Sequence, residues 1–188
     1  MNTNKFIIIF FYKFIPISKP KKVKSYLEDF IRNKMLRGTI LLASEGINAS
    51  ISGSKNDLKI LIRQIKILLK IKDINIKKNF IEFLPFNKMK VRVKKEIVSL
   101  GKNAIDVSKH TGKFISPDNW DKLIRKKNIK LIDTRNEYEV KIGNFKNSIN
   151  PKTKSFRDFP KKINQLGIKK DDEIVMYCTG GIRCEKIS

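Results

Sequence analysis

The residues of this sequence that could do chemistry lie near its end, where a glycine-containing loop follows an apolar strand. The run Glu173-Ile174-Val175-Met176-Tyr177 is typical of a strand buried on both faces of a parallel sheet. The loop after it consists of Cys178, Thr179, Gly180, Gly181, Ile182 and Arg183. Two adjacent glycines let the backbone curl around the sulfur, so that successive N–H groups point inward and form an anion-binding nest.

Such a nest favours the thiolate of Cys178 over the thiol. The fixed charge of Arg183, and the N-terminal dipole of a helix that begins near it, act in the same direction. We therefore expect a lowered pKa for Cys178. A terminal persulfide is also an anion and would be stabilised in the same way, and no general base is needed because the surroundings ionise the sulfur directly.

The length of the loop indicates which chemistry it suits. Four residues separate Cys178 from Arg183, one fewer than in the comparable loop of tyrosine and dual-specificity phosphatases. The smaller ring fits one sulfur atom better than a tetrahedral phosphate. The sequence therefore favours sulfur chemistry over phosphate hydrolysis.

The second cysteine, Cys184, follows six residues after the first, and the chain has no others. One such pair makes neither a disulfide framework nor a zinc site, so we predict no metal and a reducing, cytoplasmic location. We interpret Cys184 as a small apolar residue of the next helix. The alternative is a resolving thiol that reaches a sulfenate or persulfide on Cys178.

The elements that must position this loop predict a parallel α/β domain over residues 117–188. Leu131-Ile132-Asp133 is a second short apolar strand, and Pro117 suits the first turn of a helix that runs to about Arg125. Further helical segments are predicted at 137–140 and 155–162. Residues 101–116 are weakly periodic, and we interpret them as a linker.

Residues 1–100 predict a separate domain with the order β-α-β-β-α-β. Strands are expected at 6–15, 39–43 and 47–51, with the second and third joined as a hairpin. Helices follow Pro20 and Ser54, and the last strands are expected at 80–84 and 91–93. This order is the ferredoxin-like split pattern, an antiparallel sheet covered by two helices. A small α/β domain with another strand order is the alternative.

The charge of the chain points to an anionic partner. It has 42 basic and 18 acidic residues, a formal net charge of +24 spread over both halves. Such a field attracts nucleic acid, although part of the excess could be drift toward lysine in an AT-rich gene. Lys90, Arg92 and Lys94 alternate along a predicted strand and would form one basic face. The apolar run at 6–12 is too short to cross a membrane, and Lys13 interrupts it.

Taken together, these motifs resemble those of a known family. The loop from Cys178 to Arg183 resembles the active-site loop of rhodaneses, and Asp133-Thr134-Arg135 with Glu137-Tyr138-Glu139 extends that match. More narrowly, the chain resembles the bacterial tRNA uridine hydroxylases. Its members join an acylphosphatase- or ferredoxin-like domain to a rhodanese domain. The segments that carry this resemblance are 43–49, 89–94, 133–136 and 178–186.

The resemblance implies oxygen-dependent hydroxylation at carbon 5 of uridine 34 in tRNA. It implies Cys178 as the reactive, persulfide-type cysteine with Arg183 beside it, and molecular oxygen as co-substrate with no other cofactor evident. Asp133, Arg135 and Cys184 are expected to support the active-site loop. The turn that contains Glu45 and Asn48 is either an RNA contact or an ordinary hairpin turn. No protein partner is evident.

Only a few residues follow the loop before Ser188, whereas a full rhodanese module continues with a helix and usually a further strand and helix. We therefore expect the rhodanese-like domain to be incomplete at its C-terminus, through fragmentation or truncation, and a partner that completes the fold is the alternative. Two alternative functions stay open. One is a sulfurtransferase that passes a persulfide sulfur from Cys178, and the other is a non-catalytic RNA-binding fragment.

Overall fold

The computed structural model describes residues 6–101, 107 and 111–188 and divides the chain into two compact units, Met1–Ile97 and Val98–Ser188. Much of the predicted linker over 101–116 lies outside the described residues. Within the described ranges, no helix has the length and apolar character needed to cross a membrane.

The first unit has the predicted β-α-β-β-α-β order, followed by the last strand that the sequence predicted at 91–93. Its elements are β1 (Phe6–Phe14), α1 (Pro20–Ile31), β2 (Leu36–Ala43), β3 (Gly46–Gly53), α2 (Lys55–Leu68), β4 (Lys77–Ile81) and β5 (Met89–Val93). Pro20 occupies the first turn of α1, and the hydroxyl of Ser54 caps α2 by accepting from the amide of Asp57 at 3.0 Å. The strand expected at 80–84 begins and ends three residues earlier.

The five strands form one sheet in the order β4-β1-β3-β2-β5. All neighbours are antiparallel except β2 and β5, which are parallel because the chain passes from one edge of the sheet to the other between β4 and β5. The sequence predicted an antiparallel sheet, and this prediction is wrong for β5. Both helices pack on the same face, and the core between helices and sheet includes Leu27, Ile40, Ile47, Ile51, Leu61 and Ile65.

The hairpin turn between β2 and β3 is tied to the end of this unit. The carboxylate of Glu45 accepts from the backbone N–H of Ile97 at 2.7 Å. The side-chain amide of Asn48 donates to the carbonyl of Ile97 at 3.0 Å. Both side chains therefore hold the fold together, and their contact with RNA stays a prediction.

The second unit has the predicted parallel α/β arrangement. Its elements are α3 (Pro117–Ile124), β6 (Ile129–Asp133), α4 (Glu137–Val140), a 3-10 turn (Phe156–Asp158), α5 (Phe159–Ile163), β7 (Glu173–Tyr177) and α6 (Ile182–Ile187). Strands β6 and β7 are parallel, with Asp133 opposite Tyr177 at their carboxyl ends. The residues that follow these two strands therefore begin side by side, as expected for a site at this edge of a parallel sheet.

The backbone at Gly38 in β2 leaves no room for a side chain. Its φ is +133°, and a Cβ there would lie 2.1 Å from the carbonyl oxygen of Ser50 on β3. We expect Gly38→Ala to lower the free energy of unfolding of the first unit by about 3 kcal/mol, since both the backbone and the neighbouring strand must shift. Urea denaturation followed by far-UV circular dichroism measures this, with Thr39→Ala as control. An unchanged midpoint for Gly38→Ala would contradict the strand pairing described here.

Candidate active site

Cys178 is the first residue after β7 and is partly buried. The position of its backbone is fixed by Thr134, which follows the neighbouring strand: the amide and the hydroxyl of Thr134 both donate to the carbonyl of Tyr177 at 3.0 Å. The sulfur accepts a hydrogen bond from the backbone N–H of Gly181 at 3.0 Å. The predicted inward-facing amide is therefore present.

The two glycines of the loop have different conformational roles. Gly181 has φ +94°, in the left-handed region, and immediately precedes α6. This conformation turns its N–H toward the sulfur, and a side chain there would be strained. A Cβ on Gly180 would meet no other atom within 4 Å. Gly181 is thus required by backbone geometry, whereas Gly180 leaves open space beside the loop.

The surroundings of Cys178 lower its pKa to about 5. The largest cause is a hydrogen bond from the side chain of Cys184. Burial acts in the opposite direction, and the backbone amides of Cys184, Arg183 and Gly180 add to the lowering. Neutral N–H and S–H donors thus outweigh the cost of burying an anion. This lowering favours the thiolate form of Cys178 at neutral pH.

Cys184 has a larger role than the apolar one that the sequence favoured. It lies in the first turn of α6, where its side chain is within hydrogen-bonding reach of Cys178, and its sulfur lies 3.5 Å from the hydroxyl oxygen of Thr134. The hydrogen bond to Cys178, together with burial, raises the pKa of Cys184. Cys184 therefore stays protonated and donates to Cys178, and this favours the thiolate of Cys178. The spacing of six residues was the only signal of this in the sequence.

Arg183 is paired with a carboxylate that sequence reasoning did not single out. Its guanidinium donates to both oxygens of Glu139, at 2.6 and 2.8 Å, and lies 3.3 Å from the hydroxyl oxygen of Thr179. This planar two-point contact fixes the guanidinium beside the loop. Burial would lower the pKa of Arg183, but the hydrogen bonds and charge of Glu139 raise it, as do the charge of Cys178 and a hydrogen bond to its sulfur. The guanidinium therefore interacts with both Glu139 and the sulfur, as the sequence predicted for Cys178.

Glu139 joins the loop to the helical turn α4. Besides the two bonds from Arg183, its carboxylate accepts from the hydroxyl of Thr179 at 2.7 Å and from the amide of Asn136 at 3.0 Å. Hydrogen bonds from Arg183, followed by those from Thr179 and Asn136, outweigh burial and lower the pKa of Glu139 to about 2. Its place in the segment 137–139, which carried part of the family resemblance, was the available signal.

Asp133 and Arg135, predicted as supporting residues, lie behind the loop. Asp133 is fully buried and accepts from Arg135 at 2.7 Å and from the hydroxyl of Tyr177 at 2.7 Å. Burial alone would raise the pKa of Asp133, but the hydrogen bonds from Arg135 and Tyr177 lower it below its ordinary value. Arg135 also donates to the carbonyl of Gly143 at 2.7 Å. The cluster fixes Tyr177, the residue before the reactive cysteine.

The basic residues predicted to contact RNA belong to the first unit. Lys90 and Arg92 lie on one face of β5, and Lys94 follows directly after the strand. Arg92 and Lys94 are exposed, and Lys90 is partly buried.

Among the residues that the structure describes, no three His, Cys, Asp or Glu side chains converge as metal ligands would. The chemistry that this geometry offers is that of one stabilised sulfur anion.

Family models match both units of the chain. A domain described as the UPF0176 acylphosphatase like domain matches residues 6–97, and a rhodanese-like domain matches residues 116–187. Among solved structures, an acylphosphatase from Bacillus subtilis covers 46% of this chain and 98% of its own, at 10% identity and a TM-score of 0.37, which is too low to support a conclusion.

Curated relatives match nearly the whole chain. The tRNA uridine(34) hydroxylase of Wolbachia pipientis subsp. Culex pipiens (strain wPip) is 46% identical over 181 residues, which are 96% of this chain and 64% of the relative. The protein of the same name from Rickettsia akari (strain Hartford) is 43% identical over 185 residues, 98% of this chain and 75% of the relative. The chain thus spans about two thirds of the length of the Wolbachia protein.

Replacing Cys184 tests the source of the thiolate. In the wild type, alkylation of Cys178 by iodoacetamide should increase with pH through about pH 5 and then level off, because the lowered pKa keeps the thiolate present above that pH. Cys184→Ala removes the S–H donor and should slow alkylation at pH 6 by roughly tenfold or more. Cys184→Ser keeps a donor and should stay closer to the wild type. Equal pH profiles for the two variants would contradict the role given to Cys184.

Replacing Glu139 tests the link between α4 and the loop. Glu139→Gln should lower the free energy of unfolding of the second unit by about 2 kcal/mol at pH 7, since it weakens charged hydrogen bonds. Because the pKa of Glu139 is lowered on folding, this stabilisation is present above about pH 4.5 and is lost as pH falls toward 2. The difference between the two proteins should therefore shrink in acid.

Urea denaturation followed by the fluorescence of Trp120, the only tryptophan, reports on this unit. Glu137→Gln, in the same helical turn, is the control, because its carboxylate makes none of the bonds described above. Equal losses for the two variants would argue against the Arg183 pairing.

Proposed function

Because the chain belongs to the tRNA uridine(34) hydroxylase family, we propose that it acts in the oxygen-dependent hydroxylation of uridine 34 of tRNA to 5-hydroxyuridine. The family resemblance predicted from the sequence is confirmed by the relatives, which share 43–46% of aligned residues over nearly the whole chain. The predicted fold class is confirmed by the matches of both domains.

The observation that carries the proposal is the pair of sulfurs in the second unit. A thiol whose pKa is lowered to about 5 is nucleophilic at cellular pH, and the same ring of donors accommodates a persulfide anion. Cys178 is the catalytic residue in this proposal. Cys184, Gly181 and the Arg183–Glu139 pair keep its sulfur ionised and in place, and molecular oxygen is the co-substrate.

The charge of the chain supports tRNA as the substrate. A formal net charge of +24 attracts a polyanion from a distance, and base modification in an anticodon loop needs an unstacked base rather than a duplex. We place the reaction in the cytoplasm, where tRNA is abundant and thiols stay reduced.

A sulfurtransferase is the second candidate function, because a rhodanese-like domain matches residues 116–187 and its loop would hold a transferable sulfur equally well. A thiosulfate–cyanide assay separates the two functions. Robust formation of thiocyanate by the purified protein would favour sulfur transfer. Binding of tRNA that is unaffected by Cys178→Ala and accompanied by no turnover would favour a non-catalytic RNA-binding role.

The decisive prediction concerns Cys178. In a bacterial strain deleted for its own 5-hydroxyuridine-forming enzymes, the wild-type gene should restore 5-hydroxyuridine, and Cys178→Ala should abolish it because no other sulfur anion is held in the loop. Mass spectrometry of tRNA nucleosides measures the product. Lys59→Ala, on the exposed side of α2, is the control and should behave as the wild type. Modification at the wild-type level by Cys178→Ala would refute the assignment.

A further inference from the structure

We infer that the first unit binds single-stranded RNA on the face of its sheet opposite α1 and α2, here called the open face. The inference deepens the proposed function, because it gives the unpaired part of a tRNA a place to bind. It rests on that function for RNA, rather than DNA, as the nucleic acid. The ligand class follows from the side chains that the strand register brings together.

The register assigns each strand residue to a face. Ile9 and Phe11 of β1 pack in the core with the helices, so Phe10 between them points to the open face. Residues paired across antiparallel or parallel neighbours share a face. One row across all five strands therefore lies on the open face, and in sheet order it consists of Lys77, Phe10, Ser50, Thr39 and Lys90.

The row has the composition of a platform for unpaired bases. Phe10 is 38% exposed, which is unusual for a large aromatic residue in an inner strand. Tyr12 and Phe14 follow on the same face of β1, with their rings 5.9 Å apart and nearly perpendicular. Aromatic rings on a sheet can stack against bases of any sequence. Ser50 and Thr39, next along the row, offer hydroxyls to base edges.

Basic side chains flank these aromatic and polar residues on both sides. The row ends in Lys77 at one edge of the sheet and Lys90 at the other, and Arg92 lies beside Lys90 on the same face. None of the residues in β1 to β5, all of which are described, is acidic. Phosphates could therefore be neutralised at both edges while the bases lie over the centre.

This distribution of charge favours RNA over a protein or a membrane as the occupant. The core of a stable protein interface is depleted of charge, whereas here Lys77 on one side and Lys90 and Arg92 on the other flank the aromatic side chains of β1. Ile97 covers one end of the face, where its side chain approaches Gly46 and its carbonyl accepts from Asn48. The row through Phe10 lies beyond this covered end.

The test measures binding of the full chain to a short, fluorescein-labelled oligouridylate by fluorescence anisotropy. We expect Phe10→Ala to weaken binding by at least about tenfold, as lost base stacking does. Phe80→Ala is the matched control: Phe80 is 60% exposed on the adjacent strand β4, but it pairs with Ile7 and so points to the other face. Phe80→Ala should bind as the wild type.

The charged edges are tested in the same assay. Lys77→Ala and Lys90→Ala should each weaken binding and reduce its dependence on salt by roughly one phosphate contact. Lys59→Ala on α2 removes the same charge from the helical side and should have no such effect. Phe10→Leu, which keeps apolar volume without a ring, should also lose affinity, and circular dichroism establishes that each variant is folded.

Equal binding by Phe10→Ala and Phe80→Ala would overturn the inference, as would an RNA duplex bound as tightly as the single strand. These results are independent of the chemistry at residue 178. Cys178→Ala should bind the oligouridylate as the wild type does while losing hydroxylation. If the open face fails its test and hydroxylation is intact, the proposed function stands without this inference. If binding behaves as expected and no 5-hydroxyuridine forms, the reverse holds.

Discussion

An ionised sulfur in a largely desolvated position is the constraint on which the second unit depends. Burial opposes ionisation, and a lone cation could offset it only at the cost of burying a second charge. The chain relies mainly on neutral donors, which are the backbone amides of the loop and the side chain of Cys184, and the guanidinium of Arg183 near the sulfur is itself paired with Glu139. Neutral donors fix the anion only if their directions are fixed, which explains the left-handed Gly181 and the attachment of Tyr177 to Thr134.

The arrangement around the loop consists of two separate ionic pairs with different tasks. Asp133 and Arg135 form an ion pair at the carboxyl end of β6, and Asp133 also accepts from Tyr177, the last residue of β7 before Cys178. Glu139 and Arg183 lie across the loop and hold its far end. Each pair is internally neutral, so the sulfur carries the charge that remains for chemistry. This division lets the loop be rigid without leaving an uncompensated cation beside the sulfur.

Much of this could be predicted from the sequence, because the signals were local. The strand before Cys178, the paired glycines and the β-α-β-β-α-β order all depend on neighbours within a few residues. The partners of Arg183 and Glu45 did not follow, because Glu139 lies 44 residues from Arg183 and Ile97 lies 52 residues from Glu45. Such pairs are set by tertiary packing. The parallel β5 was missed for the same reason, since the direction of an edge strand depends on the path of the chain around the sheet.

The four hydrogen bonds accepted by Glu139 restrict how protons can travel at this site. An ionised carboxylate offers about four lone-pair positions, and here Arg183, Thr179 and Asn136 occupy them. With its pKa near 2, Glu139 is closed to proton exchange at cellular pH. In the proposed reaction, a hydrogen that leaves carbon would therefore depart through a group other than Glu139. Glu139 thus has a structural role, holding the loop to α4, and takes no part in proton transfer.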